Sequence, residues 1–202
     1  PPNGAASPDE SSDTAGIPVK KLAHESVPVP PADQPSKGPL RAPVVLQIWS
    51  DFECPFCARA VPILAELEHE FGAELRIVWR AMPLPAHSHS QEAAAAALEA
   101  YSERGGAAFW RVHDRLFAEA ADGLDEAKIE RSLKAEGVDV MRYRLALKSG
   151  SHDAAIAADV KAGDFVEGTP AFLINDYYVF GIAPIEVFRS LVQKAQSEAK
   201  AR

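Results

Sequence analysis

The two cysteines constrain this chain more than any other feature of its sequence. They are the only cysteines in 202 residues, and they stand three positions apart in Cys54-Pro-Phe-Cys57. The apolar run from Val44 to Trp49 precedes them and predicts a short strand that is buried on both faces of a sheet. Apolar side chains at helical spacing follow in residues 58–71 and predict a helix. The pair therefore lies at a strand-to-helix turn, where each cysteine can pair only with the other.

A position at the start of a helix gives the two cysteines different chemistry. Cys54 is predicted at the N-cap, where unpaired N–H groups and the helix dipole stabilise a thiolate and lower its pKa. Cys54 is therefore the candidate nucleophile, and Cys57, which faces inward, is the candidate resolving thiol. Phe52 and Phe56 flank Cys54 and are predicted to form an exposed apolar rim that binds unfolded chains. This chemistry requires no cofactor besides the redox-active disulfide between Cys54 and Cys57.

The remaining apolar patterns predict an α/β fold. Residues 75–80 are a second strand candidate, so the first half of the domain forms a strand–helix–strand unit with parallel pairing. Residues 88–163 are rich in Ala, Glu and Leu and are interrupted by glycines, which predicts an all-helical block. Residues 169–181 predict two short strands joined at Asn175-Asp176, and a final amphipathic helix begins at Pro184.

The first 40 residues differ in composition from the rest of the chain. They hold nine of the sixteen prolines and few large apolar side chains, so they are predicted to be a disordered arm or tether. Only Val27 to Pro30 is expected to lie against the domain, as an edge strand. The predicted divisions are the arm at 1–40, the domain at 41–202, its core segments at 41–83 and 164–200, and its helical insertion at 84–163.

Charge and hydropathy argue against two kinds of interaction. The net charge of −8 and the pI near 5.3 argue against nucleic acid as a partner, because phosphate binding requires clustered Lys and Arg. No apolar stretch approaches the roughly 18 to 20 residues that cross a bilayer, so the sequence predicts no spanning segment. The three tryptophans are expected in the core: Trp49, Trp79 and Trp110.

Several segments of the sequence resemble the DsbA-like branch of the thioredoxin superfamily. Ser50-Asp-Phe-Glu-Cys-Pro-Phe-Cys57 is similar to the strand-to-helix signature of that branch, and Gly168-Thr-Pro-Ala-Phe172 is similar to its Thr-cisPro loop. Phe180-Gly181 and the helix after it resemble the last turn and helix of the family. The helical block is similar to the insertion that separates DsbA-like proteins from plain thioredoxins. The resemblance covers residues 43–196.

The resemblance implies a fold, a substrate class and a partner. The fold is a thioredoxin fold with an all-helical insertion between an N-terminal βαβ unit and a C-terminal ββα unit. Pro170 is implied to be cis beside the cysteines, and the backbone of Thr169 to pair with an extended substrate chain. The implied substrates are unfolded or partly folded exported proteins, in the periplasm or at the outer surface of a membrane, with the arm as a candidate tether. A membrane-bound, quinone-linked thiol oxidase is implied to reoxidise the site.

One position departs from the pattern of the family. Many relatives carry a buried acid six positions before the first cysteine, where it helps to move the proton of the buried thiol, and Ile48 occupies that position in this sequence. Asp51 and Glu53 are nearer to the cysteines, but a carboxylate beside Cys54 is expected to raise its pKa. The sequence therefore assigns no proton route to Cys57.

Three other functions stay open at this level. The cysteine pair also fits half of a Cys2His2 zinc site with His87-Ser-His89, although Pro-Phe at a helix start and the Thr-Pro loop favour redox chemistry. His87 and His89 are otherwise expected to be exposed loop residues. A disulfide reductase or isomerase uses the same kind of site, and its reduction potential separates it from an oxidase. The third alternative is a non-enzymatic, thioredoxin-like binding module.

Overall fold

A computed structural model describes residues 16–201 of the chain. The strands in this range are β1 (Val19–Lys21), β2 (Ser36–Lys37), β3 (Val44–Ser50), β4 (Leu75–Ala81), β5 (Ala171–Ile174) and β6 (Tyr177–Phe180). The α-helices in it are α1 (Pro55–Phe71), α2 (Ser90–Arg104), α3 (Gly106–Glu119), α4 (Glu126–Ala135), α5 (Val140–Ser149), α6 (Asp153–Ala162) and α7 (Ile185–Ala201). The strands form one sheet in the order β1-β6-β5-β3-β4-β2.

The centre of the sheet is the predicted strand–helix–strand unit. β3 pairs with β4 in parallel, and α1 connects them. β5 lies antiparallel on the other side of β3, and β6 lies antiparallel to β5. The helices α2 to α6 stand between the two units, as predicted for the insertion. The α/β fold class and the order of its units are therefore confirmed.

The main core lies between one face of the sheet and the helices. α1 packs against β4, and α7 packs against β3 and β5. α2 is buried through the alanines at 93–97, whose short side chains let it lie close to α3 and α5. Trp49, Trp79 and Trp110 are 0%, 0% and 7% exposed, which confirms their predicted place in the protein core. In the described range, no helix combines the length and the hydropathy needed to span a bilayer.

Residues 16–40 lie along the sheet, which differs from the disordered arm that composition predicted. β1 pairs with β6 at one edge of the sheet, and β2 pairs with β4 at the other. Between them the segment crosses the sheet, and the Pro28 carbonyl accepts a hydrogen bond from Gln47 Nε2 at 2.6 Å. Val27 to Pro30 contacts the domain as expected, but it is not a strand. The rest of the predicted arm, residues 1–15, lies outside the described residues.

Composition missed this segment because a few apolar residues are enough to anchor it. Leu22 and Val27 pack into a second, smaller core around Trp49, Leu173 and Tyr178. Because successive side chains of a strand point to opposite faces, this second core covers the face of the sheet that the helices of the main core leave open. The two sheet edges also offer unpaired backbone groups, which β1 and β2 satisfy.

The turn between β5 and β6 falls at the predicted Asn175-Asp176. Asn175 has a φ of 47°, in the left-handed region that asparagine tolerates better than most residues. Its side chain accepts a hydrogen bond from the Val45 N–H at 2.8 Å and donates one to the Pro43 carbonyl at 3.2 Å. These bonds join the hairpin turn to the start of β3 and hold β5 in register beside it.

We expect Gly163→Ala to lower the free energy of unfolding by about 1 to 3 kcal/mol. A Cβ at Gly163 would lie 2.4 Å from Trp49 Nε1 and 2.8 Å from Met82 Cε, and the fully buried Trp49 ring has no room to move away. Gly106→Ala is the matched control, because an added Cβ there meets no atom closer than 3.8 Å. Denaturant unfolding of both variants measures the difference, and equal free energies would contradict the packing argument.

Candidate redox site

The turn from β3 to α1 places the two cysteines as the sequence predicts. Cys54 is the N-cap of α1, with φ −78° and ψ 117°, and Pro55 occupies the first helical position. The Cys54 N–H donates to the Asp51 carbonyl at 3.1 Å, and the Cys57 N–H donates to the Cys54 carbonyl at 3.0 Å. Both cysteines are present as thiols. Cys54 is 5% exposed and Cys57 is 1% exposed, so an incoming sulfur reaches Cys54 first.

The surroundings of Cys54 favour its thiolate. The hydrogen bond that it shares with the Cys57 thiol is the largest influence and lowers the pKa of Cys54 to about 5, against the opposing effect of burial. The side chain of Thr169 contributes, and so do the backbone N–H groups of Cys57 and Phe56 at the helix start. The helix-start effect is the one predicted from sequence, and the fold adds the contribution of Thr169.

Cys57 has the opposite character. Burial raises the pKa of Cys57 far above its usual value, and the hydrogen bond with Cys54 raises it further. The Asp51 N–H donates to Cys57 Sγ at 3.5 Å, and this hydrogen bond lowers the pKa of Cys57 without offsetting the rise. Cys57 therefore keeps its proton at the pH at which Cys54 is ionised.

The loop before β5 lies against the cysteines. The peptide bond between Thr169 and Pro170 is cis, as the resemblance implied. The Thr169 carbonyl accepts a hydrogen bond from Cys54 Sγ at 3.4 Å, across 115 positions of sequence. The Thr169 hydroxyl is buried without a hydrogen-bond partner among the described residues, which leaves it available to a Cys54 thiolate. The fold thus brings the predicted cysteine turn and the predicted Thr-Pro loop together.

The exposure predicted for the two rim residues is found for one of them. Phe56 is 54% exposed beside the nucleophile. Phe52 is 1% exposed, so its predicted place in the rim is wrong. Its ring stacks on Trp79 at 5.4 Å and packs against Phe117 at 5.0 Å between ring centroids. The side chain points into the helical insertion, and the local sequence of the turn does not reveal that aromatic pocket.

Phe180 supplies the exposed apolar surface that Phe52 does not. It is the last residue of β6, is 43% exposed, and pairs with Ala171 directly after the cis-proline. Its ring lies so close to Gly168 that an added Cβ there would be 3.2 Å away. The hairpin register could have identified this residue, because a turn at Asn175-Asp176 places position 180 opposite position 171.

The two carboxylates near the cysteines turn toward the loop after β4. Asp51 has a fully buried side chain and accepts a hydrogen bond from His87 Nδ1 at 2.8 Å. Glu53 Oε2 accepts one from the His89 N–H at 2.6 Å. The expected rise in the pKa of Cys54 does not occur, and neither carboxylate is among the main influences on it. The side chains of His87 and His89 are 24% and 32% exposed, so both are more enclosed than an exposed loop residue.

The two histidines do not complete a zinc site with the cysteines. Their Nδ1 atoms contact Asp51 and Glu92, at 2.8 and 2.7 Å. Within residues 16–201, no group of three or more His, Cys, Asp or Glu side chains is arranged to hold a metal ion.

The fold and the site together define a dithiol protein of the thioredoxin type, in which a cysteine pair at a helix start faces a cis-proline loop. A family model described as Thioredoxin matches residues 32–194, and the chain belongs to this family.

Two solved structures share the fold. A periplasmic thioredoxin-like protein from Salmonella enterica serovar Typhimurium aligns with a TM-score of 0.72 at 19% identity, over 86% of this chain and 95% of its own. The thiol-disulfide exchange protein alpha-DsbA2 from Wolbachia pipientis aligns with a TM-score of 0.66 at 19% identity, over 81% of this chain and 87% of its own. Together with the family match, they confirm the thioredoxin fold with its helical insertion, which is the fold that the resemblance to DsbA-like proteins implied.

A curated relative matches by sequence over most of the chain. The Na(+)/H(+) antiporter NhaA 3 of Salinispora tropica is 38% identical over 179 residues, which are 87% of this chain and 27% of the relative. The chain therefore spans about a quarter of the length of the curated relatives that it matches. Antiporter is the name of the relative. The family to which this chain belongs is the thioredoxin family.

The thiolate of Cys54 is expected to form near pH 5 in the reduced protein. Its pKa in the folded protein lies below the value of about 8.5 in an unfolded chain. The ionised thiol therefore stabilises the reduced fold at any pH above the folded pKa; the contribution is complete above about pH 8.5 and is lost progressively as the pH falls to about 5. The ultraviolet absorbance of the thiolate, followed against pH, measures the titration. Ionisation that began only near the unfolded value would contradict this prediction.

Proposed function

We propose that this protein is a thiol–disulfide oxidoreductase that oxidises dithiols in exported, unfolded or partly folded proteins. The observation that carries the proposal is the asymmetry of the two thiols, since the pKa of Cys54 is about 5 and that of Cys57 is raised. A stabilised thiolate at the nucleophile favours the reduced protein, which makes the disulfide form a strong oxidant. The fold shared with a thiol-disulfide exchange protein supports the same activity.

The reaction starts from the oxidised protein, in which Cys54 and Cys57 are joined. A substrate thiolate attacks Cys54 Sγ, a substrate–Cys54 bond forms, and the Cys54–Cys57 bond breaks, so that Cys57 leaves as a thiolate and takes up a proton. A second substrate thiolate attacks the substrate sulfur of this mixed disulfide, and Cys54 leaves as a thiolate. The substrate gains a disulfide and the protein gains two electrons. Of the two protons that the substrate thiols release, one ends on Cys57 and the other in solvent.

The parts of the site have separate tasks in this scheme. The N–H groups at the helix start and the Thr169 side chain stabilise Cys54 as a leaving group. The backbone of Thr169, beside the cis Pro170, pairs with an extended substrate segment, a form of strand addition. Phe56 and Phe180 are exposed and contact apolar side chains of an unfolded chain.

We place the protein in an exported compartment, in the periplasm or at the outer face of a membrane. The shared fold of a protein named as periplasmic supports this location, and an oxidant of protein thiols requires a compartment in which disulfides persist. A membrane-bound, quinone-linked thiol oxidase returns the protein to its disulfide form. No cofactor is required beyond the Cys54–Cys57 disulfide.

Equilibration with a glutathione redox buffer tests the direction of electron flow. We expect a reduction potential near the roughly −120 mV of a strong protein oxidant, and a reduced form that resists denaturant better than the oxidised form. A potential near the roughly −270 mV of thioredoxin would identify a reductase, and one near −180 mV an isomerase-like protein. If oxidation stabilised the fold, the oxidase would be excluded.

A further inference from the structure

A single buried carboxylate joins the cysteine turn to the loop after β4. Asp51 Oδ1 accepts a hydrogen bond from the Glu53 N–H at 2.8 Å. Its Oδ2 accepts one from the Leu84 N–H at 2.7 Å and another from His87 Nδ1 at 2.8 Å. The Asp51 side chain is 0% exposed, so water does not compete for these bonds.

The backbone of the same residue contacts both cysteines. The Asp51 carbonyl accepts from the Cys54 N–H at 3.1 Å, and the Asp51 N–H donates to Cys57 Sγ at 3.5 Å. His87, which is bonded to the Asp51 carboxylate, is therefore held against the same turn that carries the two sulfurs.

The position of His87 favours its charged form. Burial works against the imidazolium, but the hydrogen bond and charge of Asp51, the Cys54 thiolate and Glu53 outweigh it and raise the pKa of His87. The charged groups with the largest effect on it come from the β3–α1 turn, and each of them is negative. The imidazolium compensates the charge of the Asp51 carboxylate, and it also presents a positive charge to the Cys54 thiolate.

We propose that His87, positioned by Asp51, supplies a positive charge that compensates this carboxylate and stabilises the Cys54 thiolate, so that the pair sets the reduction potential of the site. The inference rests on the proposed function and deepens it. Because an interaction between two ionisable groups is reciprocal, the attraction that Cys54 exerts on the His87 proton equally favours the Cys54 thiolate. The thiolate exists only in the reduced protein, so His87 stabilises that form.

His87→Gln tests the charge while keeping an N–H donor for Asp51. We expect the pKa of Cys54 to rise by about one unit. At neutral pH the equilibrium with glutathione then moves about tenfold toward the disulfide form of the protein. This corresponds to a reduction potential about 30 mV more negative. Thiolate absorbance against pH and redox equilibration measure the two effects, and neither needs a protein substrate.

His89→Gln is the matched control. His89 lies two positions further along the same loop, its Nδ1 atom contacts Glu92 at 2.7 Å, and Cys54 is not among the groups that influence its pKa. The His89→Gln variant should leave the titration of Cys54 and the glutathione equilibrium unchanged. His87→Lys restores a positive charge without the imidazole, so it should reverse most of the rise in the pKa of Cys54 that is expected for His87→Gln.

Three outcomes would overturn the inference. The first is an unchanged Cys54 titration in a folded His87→Gln protein, and the second is an equal change of that titration in His89→Gln. The third is a folded His87→Lys protein whose Cys54 titration does not return toward that of the unaltered protein, which would leave only a structural role for the histidine. Failure of the proposed function is distinguishable, because the unaltered protein would then exchange no disulfide with glutathione or would have a potential near that of thioredoxin.

Discussion

Cys54→Ser is expected to abolish disulfide exchange, with a loss of roughly a thousandfold or more in rate. Cys54 is the more exposed of the two cysteines, and its pKa of about 5 keeps it ionised at neutral pH. A serine hydroxyl in its place stays protonated. Cys57 cannot take over, because it is buried and keeps its proton. Oxidation of a reduced dithiol peptide and reduction of insulin measure the loss in both directions of electron flow.

Cys57→Ser is the informative counterpart of that variant. Cys54 can still attack a disulfide, but no internal thiol resolves the product, so the mixed disulfide accumulates. Mass spectrometry after incubation with a disulfide-bonded peptide should show a one-to-one adduct that dithiothreitol removes. The double variant Cys54→Ser/Cys57→Ser should show no adduct. Undiminished turnover by Cys57→Ser would instead show that Cys57 is not needed to resolve the adduct, which would contradict the dithiol mechanism.

Asp159→Ala is expected to lower the free energy of unfolding by about 3 to 5 kcal/mol. Asp159 Oδ1 accepts from Arg80 Nη1 at 2.7 Å, and both side chains are 3% exposed. Its Oδ2 accepts from the Ala81 N–H at 2.9 Å and from Gln34 Nε2 at 2.8 Å. Removing the carboxylate leaves the guanidinium charge buried with Gln47 as its remaining side-chain hydrogen-bond partner. Denaturant unfolding at constant pH measures the change.

Two further variants distinguish a buried charge from a general loss of contacts. Arg80→Met/Asp159→Leu removes both charges and should cost less stability than Asp159→Ala, because no ion is left without its partner. Arg189→Ala breaks ion pairs with Glu66 and Glu70 on the surface and should leave the unfolding curve unchanged, because exposed ion pairs contribute little. A double variant less stable than Asp159→Ala would contradict the interpretation.

The elements predicted best from sequence are those whose signals lie within a few residues of one another. The apolar run of β3, the helical spacing of α1 and the asparagine at the β5–β6 turn each depend on local conformation, so the structure reproduces them. The same holds for Cys54 at the helix start, because the unpaired N–H groups that favour a thiolate there belong to the helix end itself.

The interpretations that failed depend on contacts between distant segments. Composition could not show that residues 16–40 complete both edges of the sheet, because pairing depends on which edges the fold leaves open. Phe52 stands two positions before the nucleophile, and its exposure is decided by aromatic residues of α3. The contact between Asp51 and His87 was missed for the same reason, because the two residues are 36 positions apart in the sequence.

The sequence by itself determined the order of the strand and helix units from β3 to α7, the position of the dithiol and which of its two sulfurs is predicted to attack. These follow from hydrophobic periodicity and helix-end electrostatics, which act over a few residues. Only the tertiary structure decided what surrounds the thiolate. The Thr169 loop beside Cys54, the Asp51–His87 pair at the turn and Phe180 at the exposed surface come from separate segments of the chain. Their electrostatic effect depends on distances through space, and spacing along the chain does not specify those distances.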